Sequence, residues 1–220
     1  MSAWQQQKHA VLEAVRHLAR KGLVVGTSGN VSMRLSEPGG RELVGITPTA
    51  CRYDALGVDD IVILDFNGAR VEGHLEPSIE KMLHIGVYKR RSGINAVIHT
   101  HPVFGCAFAV AGLEIPPVLD EQVACLGGEV RVADYAPPGS TDLVENVLKA
   151  LGPRNAVLMA NHGALAVGRD MQEALTASEL LERAAMTYIW ARVLGRVNPL
   201  PPEAIEAGRA LFAAAHGQAW

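Results

Sequence analysis

Val97-Ile98-His99-Thr100-His101 is the segment of this chain whose spacing most directly permits chemistry. The apolar residues before His99 read as a strand, and strand side chains alternate between faces. His99 and His101 then share a face, roughly 6–7 Å apart along the chain. Two imidazoles on one face can grip a divalent metal; the other reading is a pair of half-buried strand histidines satisfied by neighbours. His162 ends an apolar run in Ala160-Asn161-His162-Gly163, where it can point into a cleft or serve structure alone. Glu80 is expected in the first turn of the helix that precedes the His-x-His strand. A helix antiparallel to the next strand carries its start towards that strand's far end. Glu80 can therefore meet the histidines, or be a solvated acid favoured by the helix dipole. Three imidazoles and one carboxylate would make a borderline-soft site with a displaceable position, which suits a catalytic zinc.

A second group could hold an anion. Gly26-Thr27-Ser28-Gly29-Asn30 is a small-residue loop that exposes backbone N–H groups and adds hydroxyls. Thr47-Pro48-Thr49 after a strand, and Ser78 at a helix start, could add donors to the same anion. The alternative for the loop is a flexible turn.

The elements that must position these groups can be read from periodicity and breakers. Helices are expected over 5–21, 78–91 with Ser78 as N-cap, 103–111, 142–151, 171–194 and 203–215. Strands are expected over 31–35, 43–47, 61–65, near Val71, and over 95–101, 156–160 and 165–167. Glu37-Pro38-Gly39-Gly40 and Asn67-Gly68 are turn signals that make adjacent strands antiparallel. This differs from the regular alternation of a doubly wound parallel sheet. Residues 116–138 give no clear element. Pro199, Pro201 and Pro202 break the chain before the last helix.

Composition bounds the function. At 220 residues the chain suits one domain, spanning 1–220 with a core of about 5–195 and a tail over 196–220. With 49% hydrophobic and 20% charged residues it needs no disulfide or metal to hold a fold. A net charge of −3 leaves no cationic excess for a nucleic-acid backbone, so that partner is excluded. No apolar run is long enough for a membrane span, and no apolar signal core opens the chain. Cys51, Cys106 and Cys125 are odd in number and lack C-x-x-C spacing. They read as small buried hydrophobes of a cytoplasmic protein. Eight histidines against three cysteines mean that any metal site is built from imidazole and carboxylate.

Taken in order, several segments resemble the class II aldolase/adducin family, specifically its L-fuculose-1-phosphate aldolase branch. They are Gly26-Thr27-Ser28-Gly29-Asn30-Val31-Ser32, Ile46-Thr47-Pro48-Thr49 and Pro77-Ser78-Ile79-Glu80 with His84. Ala96-Val97-Ile98-His99-Thr100-His101, Tyr135-Ala136 and Asn161-His162-Gly163 complete the set, which covers roughly residues 5–195. The resemblance implies an α/β fold of three layers, a mostly antiparallel central sheet between helices. It implies a homotetramer of four-fold symmetry with active sites between subunits, and one Zn2+ per subunit that another divalent metal could replace. His99, His101 and His162 would be metal ligands, and Glu80 the acid/base carboxylate and a fourth ligand when substrate is absent. Ser28, Gly29, Asn30, Thr49, Ala50 and Ser78 would bind the substrate phosphate. Tyr135 would reach a neighbouring subunit's site and donate a proton to the aldehyde oxygen.

The implied reaction is reversible cleavage of a ketose 1-phosphate, of fuculose-phosphate or 5-deoxy-pentulose-phosphate type, to dihydroxyacetone phosphate and an aldehyde. A carboxylate that moves a proton at C3 works best with its pKa raised towards neutrality. The rival readings are a methylthioribulose-phosphate dehydratase, a keto-acid-phosphate decarboxylase, a pentulose-phosphate 4-epimerase or a non-enzymatic adducin-like module. Glu80 favours an aldolase over the epimerases, which resemble this chain but carry Asp there. Two positions depart from the family pattern: Ala50 replaces a usual Gly, and Ile79 a usual Ser. Losing a hydroxyl and gaining an apolar branch at position 79 should reshape anion binding or line a pocket for a deoxy sugar. No tyrosine follows Tyr188, although the fuculose-type enzymes use one near the C-terminus. The tail is expected to be a small amphipathic helix packing on a neighbouring subunit, with no role for His216 or Trp220. His9, His17 and His74 are expected at the surface or an interface, and His84 within reach of the site through other groups.

Overall fold

The computed structural model describes residues 4–36 and 39–217. Helix α1 (Gln5–Arg20) buries Val11, Leu12, Val15 and Leu18, the three-and-four spacing of one helix face. Strands β1 (Asn30–Ser36), β2 (Glu42–Ile46), β3 (Val62–Asp65) and β4 (Arg70–Glu72) then form an antiparallel run. The short β1–β2 and β3–β4 connections leave antiparallel pairing as the only geometry that closes, while a longer stretch with a 3-10 turn at Val58–Asp60 joins β2 to β3. At Asn67-Gly68 the turn works as expected: Gly68 takes a φ of +80° and its N–H donates to the Asp65 carbonyl. Part of the other turn signal, Glu37 and Pro38, lies outside the described residues.

Helix α2 (Lys81–Arg90) leads into β5 (Ala96–Thr100), which pairs with β1 on one side and β8 (Gly163–Gly168) on the other. One sheet of order β4-β3-β2-β1-β5-β8-β7-β6 results, with β7 spanning Ala156–Met159 and β6 Val132–Ala133. Among the described residues only β6 and β7 pair in parallel, joined through α5 (Thr141–Leu151), the kind of crossover parallel strands need.

All five residues of β5 are buried, because helices cover both faces of the sheet. Val97 packs with Leu83 and Val87 of α2 and with Leu143 and Val147 of α5. Ile98 packs on the opposite face with Val11 and Val15 of α1 and Ala174 of α6 (Met171–Val193). Further along that face, Leu158, Ala164 and Ala166 meet Phe108 of α3 (Val103–Ala111) and Leu181 of α6. A fully buried Val, Leu or Ile contributes about 1.5–3 kcal/mol, so this core holds its shape unaided. The three-layer, mostly antiparallel architecture read from the sequence is the one observed.

Local differences have physical causes. Ser78 is not the N-cap of α2: the helix starts at Lys81, Glu80 occupies the cap position, and the Ser78 hydroxyl accepts from the Glu80 N–H within the preceding turn. Glu80 is therefore just outside the helix and not in its first turn. The unassigned stretch 116–138 holds α4 (Asp120–Leu126) and β6, each too short for periodicity to reveal. The last helix, α7 (Pro202–His216), packs within its own chain, with Phe212 buried against Gly127 at the end of α4. Trp220 lies outside the described residues. Cys125 is exposed and Cys51 and Cys106 are half-buried, so the cysteines are not the buried hydrophobes expected. Among the described residues no helix is long and apolar enough to cross a membrane.

Candidate active site

By strand alternation His99 shares the face of Val97, which looks towards α2. His101 follows just past the end of β5, and His162 sits in the tight turn between β7 and β8. That turn needs unusual backbone. Asn161 takes a φ of +55°. A Cβ on Gly163 would lie 2.5 Å from the Thr100 carbonyl oxygen and 2.7 Å from His101 Cδ2, so only glycine lets the turn close onto the two histidines.

Ligand atoms of His99, His101 and His162 all lie within 4.8 Å of one another, a group that could hold a metal ion. The Nε2 atoms of His99 and His101 are 3.0 Å apart. His99 Nδ1 lies 2.9 Å from the Ala164 carbonyl, which can only accept. Nδ1 therefore carries a proton, and Nε2 faces the cluster. Burial, with the other cluster histidines, pushes His101 down to about 4 and lowers His162, so both are neutral at pH 7. Neutral imidazoles with converging lone pairs are the state a metal requires.

Glu80 completes the group. Its Oε2 is 3.2 Å from His99 Nε2, and its Oε1 is 3.5 Å from His162 Nε2. Oε2 also accepts from the Asn30 amide at 2.9 Å. Oε1 and His162 Nδ1 are buried with no hydrogen-bond partner. An unmatched buried carboxylate oxygen is costly unless something else binds there, and a cation between Glu80 Oε1 and the imidazoles fits that need. Burial pushes the Glu80 carboxyl up, but His99, the Asn30 amide, His162 and His84 more than reverse this. The group rests below its ordinary range, opposite to the raised value expected of a proton-transferring carboxylate.

The histidines open onto a cleft of about 310 Å³ that Ser28, Gly29, Asn30, Thr49, Ala50 and Ser78 all line, together with Ile79 and Pro138. The structure thus gathers the small-residue loop and both Thr/Ser segments at one place. Pro48 bridges Pro77, and the Ser78 N–H donates to the Thr47 carbonyl, which ties the segments side by side. Ala50 takes a left-handed φ of +56°, the conformation that a glycine would adopt without strain. Ile79 stands exposed at the rim. The side chain of Asn30 is largely committed elsewhere, to Glu80 and His84, although its residue lines the cleft.

Tyr135 is not in this cleft; its ring is 63% exposed on the surface of the chain. Of the other histidines, His9 is exposed, His17 meets Glu179 and His74 faces Asp60. The sequence reading missed Tyr53, whose buried hydroxyl donates to the Ser28 and Gly29 carbonyls and pins the loop from below. A lone tyrosine before a polar turn carries no signal of that role. It also missed Ser32, a polar residue at an inward strand position, which is itself a signal.

A model of the class II aldolase and adducin N-terminal domain matches residues 9–189. The chain therefore belongs to the class II aldolase and adducin family. Within it, the chain falls among enzymes named as aldolases, and it is a lyase of the class II aldolase type. It is 33% identical over 202 residues to a 5-deoxy-D-ribulose 1-phosphate aldolase of Bacillus thuringiensis, covering 92% of this chain and 93% of that protein. It is 34% identical over 191 residues to an L-fuculose phosphate aldolase of Escherichia coli K12, covering 87% and 85%. A solved L-fuculose 1-phosphate aldolase superposes with a TM-score of 0.88 at 33% identity, over 96% of this chain and 97% of that one.

Proposed function

We propose that this chain is a zinc-dependent class II aldolase that reversibly cleaves a ketose 1-phosphate to dihydroxyacetone phosphate and an aldehyde. The observation that carries the reading is the meeting of three imidazoles and Glu80 at a cleft lined by the small-residue loop. His99, His101 and His162 would hold the ion, with Glu80 as a fourth ligand in the absence of substrate. A bound divalent cation supplies Lewis acidity for the negative charge that develops on the C2 and C3 oxygens as the C3–C4 bond breaks.

The chain's own residues do the rest. Gly29, Thr49 and Ser78 hold the phosphate through backbone N–H groups and hydroxyls, with no need for excess Lys or Arg. Asn30 anchors Glu80 through Oε2 and leaves Oε1 uncommitted. In the condensation direction Glu80 takes the proton from C3, and in cleavage it returns that proton to C3. Tyr135, exposed on its own subunit, reaches the cleft of a neighbour in a homotetramer. There its phenol gives a proton to the aldehyde oxygen on condensation and takes the C4 hydroxyl proton on cleavage. The exposed apolar end of α6, Trp190, Val193 and Leu194, supplies surface for such an assembly. We place the enzyme in the cytoplasm.

Ile79 favours a substrate of the 5-deoxy-pentulose-phosphate type, because an exposed branched apolar side chain at the rim gains more from a methyl terminus than from a hydroxyl. A panel of ketose 1-phosphates and 5-phosphates with zinc-loaded protein, read by product identity, tests the assignment. Release of water or carbon dioxide, or epimerisation without carbon–carbon cleavage, would replace it with one of the rival reactions.

A further inference from the structure

Behind Glu80 runs a file of buried polar side chains that the reaction above does not use. The Asn30 amide nitrogen lies 2.9 Å from Glu80 Oε2, and Asn30 Oδ1 lies 2.5 Å from His84 Nε2. His84 Nδ1 lies 2.6 Å from Ser32 Oγ, which lies 2.7 Å from the Tyr88 hydroxyl. Ser32 and His84 are fully buried, Tyr88 is 1% exposed, and none of the three lines the cleft.

Chemistry fixes the direction of every link. A carboxylate only accepts, so Asn30 must turn its NH2 to Glu80 and its carbonyl to His84. His84 must then carry its proton on Nε2. Burial pushes this ring down to about 3, so it is neutral and Nδ1 is a bare acceptor. The Ser32 hydroxyl therefore donates to Nδ1, and its oxygen accepts from the Tyr88 hydroxyl. Each group donates towards Glu80. Reversing a link would turn the Asn30 carbonyl onto the carboxylate.

We propose that Tyr88, Ser32 and His84 are positioning residues: their one-way hydrogen-bond file locks the Asn30 amide in the sense that anchors Glu80 Oε2 and frees Oε1. The proposal rests on the reading above in that it takes Glu80 as the group that moves the proton. His84 is the element that matters most, because it alone gives Asn30 Oδ1 a donor in this file. Without it the amide can rotate, and the carboxylate loses its fixed donor.

Two measurements test this separately. The first is 15N NMR of the histidine rings in the metal-free protein, with the His84 signals assigned by their loss in His84→Gln. The expected result is a protonated Nε2 and a bare Nδ1 from pH 5 to 8. The opposite tautomer, or an imidazolium, overturns the file whatever the enzyme's reaction is. The second is steady-state kinetics normalised to bound zinc. His84→Leu should lower kcat about 10–100-fold, as loss of an orienting partner does at metal sites, with KM changed less than about threefold. His84→Gln should recover part of that loss, because its amide can still donate to Asn30. Ser32→Ala removes one buried oxygen that does not line the cleft and should lower kcat in the same sense by a smaller factor. Unchanged kcat in both His84→Leu and Ser32→Ala overturns the proposal while leaving the aldolase assignment intact. A wild-type protein that cleaves no ketose phosphate sinks that assignment, while the tautomer still decides the file.

Discussion

Two clusters in this protein are built from the same residue types and do opposite things. Near the C-terminus, His216 meets Glu173 at 2.8 Å and Asn155 at 3.1 Å through Nε2, while its Nδ1 meets the Phe212 carbonyl at 2.8 Å. Glu173 is also paired with the Arg169 guanidinium and accepts from the Arg169 backbone N–H just before α6. Both ring nitrogens of that histidine have partners, and the cluster clips α7 to α6. At the other cluster the imidazoles of His99, His101 and His162 converge on one another, and Glu80 Oε1 and His162 Nδ1 have no hydrogen-bond partner. Residue type does not separate a site from a clip; what separates them is whether the polar atoms are spent.

The largest way to break this contrast is a matched pair of alanine variants. His99→Ala should abolish turnover and stoichiometric metal binding, measured by elemental analysis and product release. His216→Ala should leave turnover within about threefold, and cost about 1–3 kcal/mol in urea melts through the polar groups it leaves unpaired. Equal losses of activity in the two would erase the distinction. Next in size is Glu80→Gln, which keeps the shape and an acceptor for Asn30 but cannot take a proton. Turnover should fall about 10²–10⁴-fold while phosphate still binds, followed by calorimetry.

Acid separates the clusters by window. The folded-state pKa values of His84 and His101 are depressed to about 3 and about 4, so the unfolded chain binds more protons below its ordinary value of 6.5. Stability of the metal-free protein is fully present above that value and is lost as pH falls, by up to about 1.4 kcal/mol per pH unit for each ring. Burial pushes Glu173 up, but Arg169 and His216 bring it below its ordinary 4.5, so the clip weakens only under more acid conditions. Urea midpoints at pH 7, 5.5 and 4 in wild type and His84→Gln should show the first loss shrinking in the variant. The smallest effect concerns strain beside the cleft. Ala50→Gly should stabilise the fold by about 1 kcal/mol, by relieving a left-handed alanine. A melting temperature that falls would show that Ala50 is held there without strain.

The same contrast explains what the sequence could reveal. The sheet was legible because Asn67-Gly68 and short apolar runs dictate antiparallel neighbours, and β5 was legible because Val97 and Ile98 bracket its two faces. The histidine cluster was legible in part: strand period places His99 and His101 together, whereas Glu80 and His162 arrive through tertiary packing that no local period encodes. The order of family-like segments supplied that link. Helix α4 and strand β6 were not legible, since seven and two residues give too few turns or alternations to count. The His84 file was invisible for another reason. Ser32, His84 and Tyr88 stand 52 and 56 residues apart in the chain, and only β1 lying under α2 brings their atoms together.

We propose that the convergent cluster holds a metal that serves carbon–carbon bond cleavage. The most direct measurement incubates zinc-loaded and chelator-stripped protein with a 5-deoxy-pentulose 1-phosphate and follows dihydroxyacetone phosphate. Dihydroxyacetone phosphate and a two-carbon aldehyde should appear in equal amounts with the loaded enzyme, and neither with the stripped enzyme until zinc is restored. Equal rates from the stripped and loaded proteins, or consumption of the sugar phosphate without an aldehyde, would contradict the proposal.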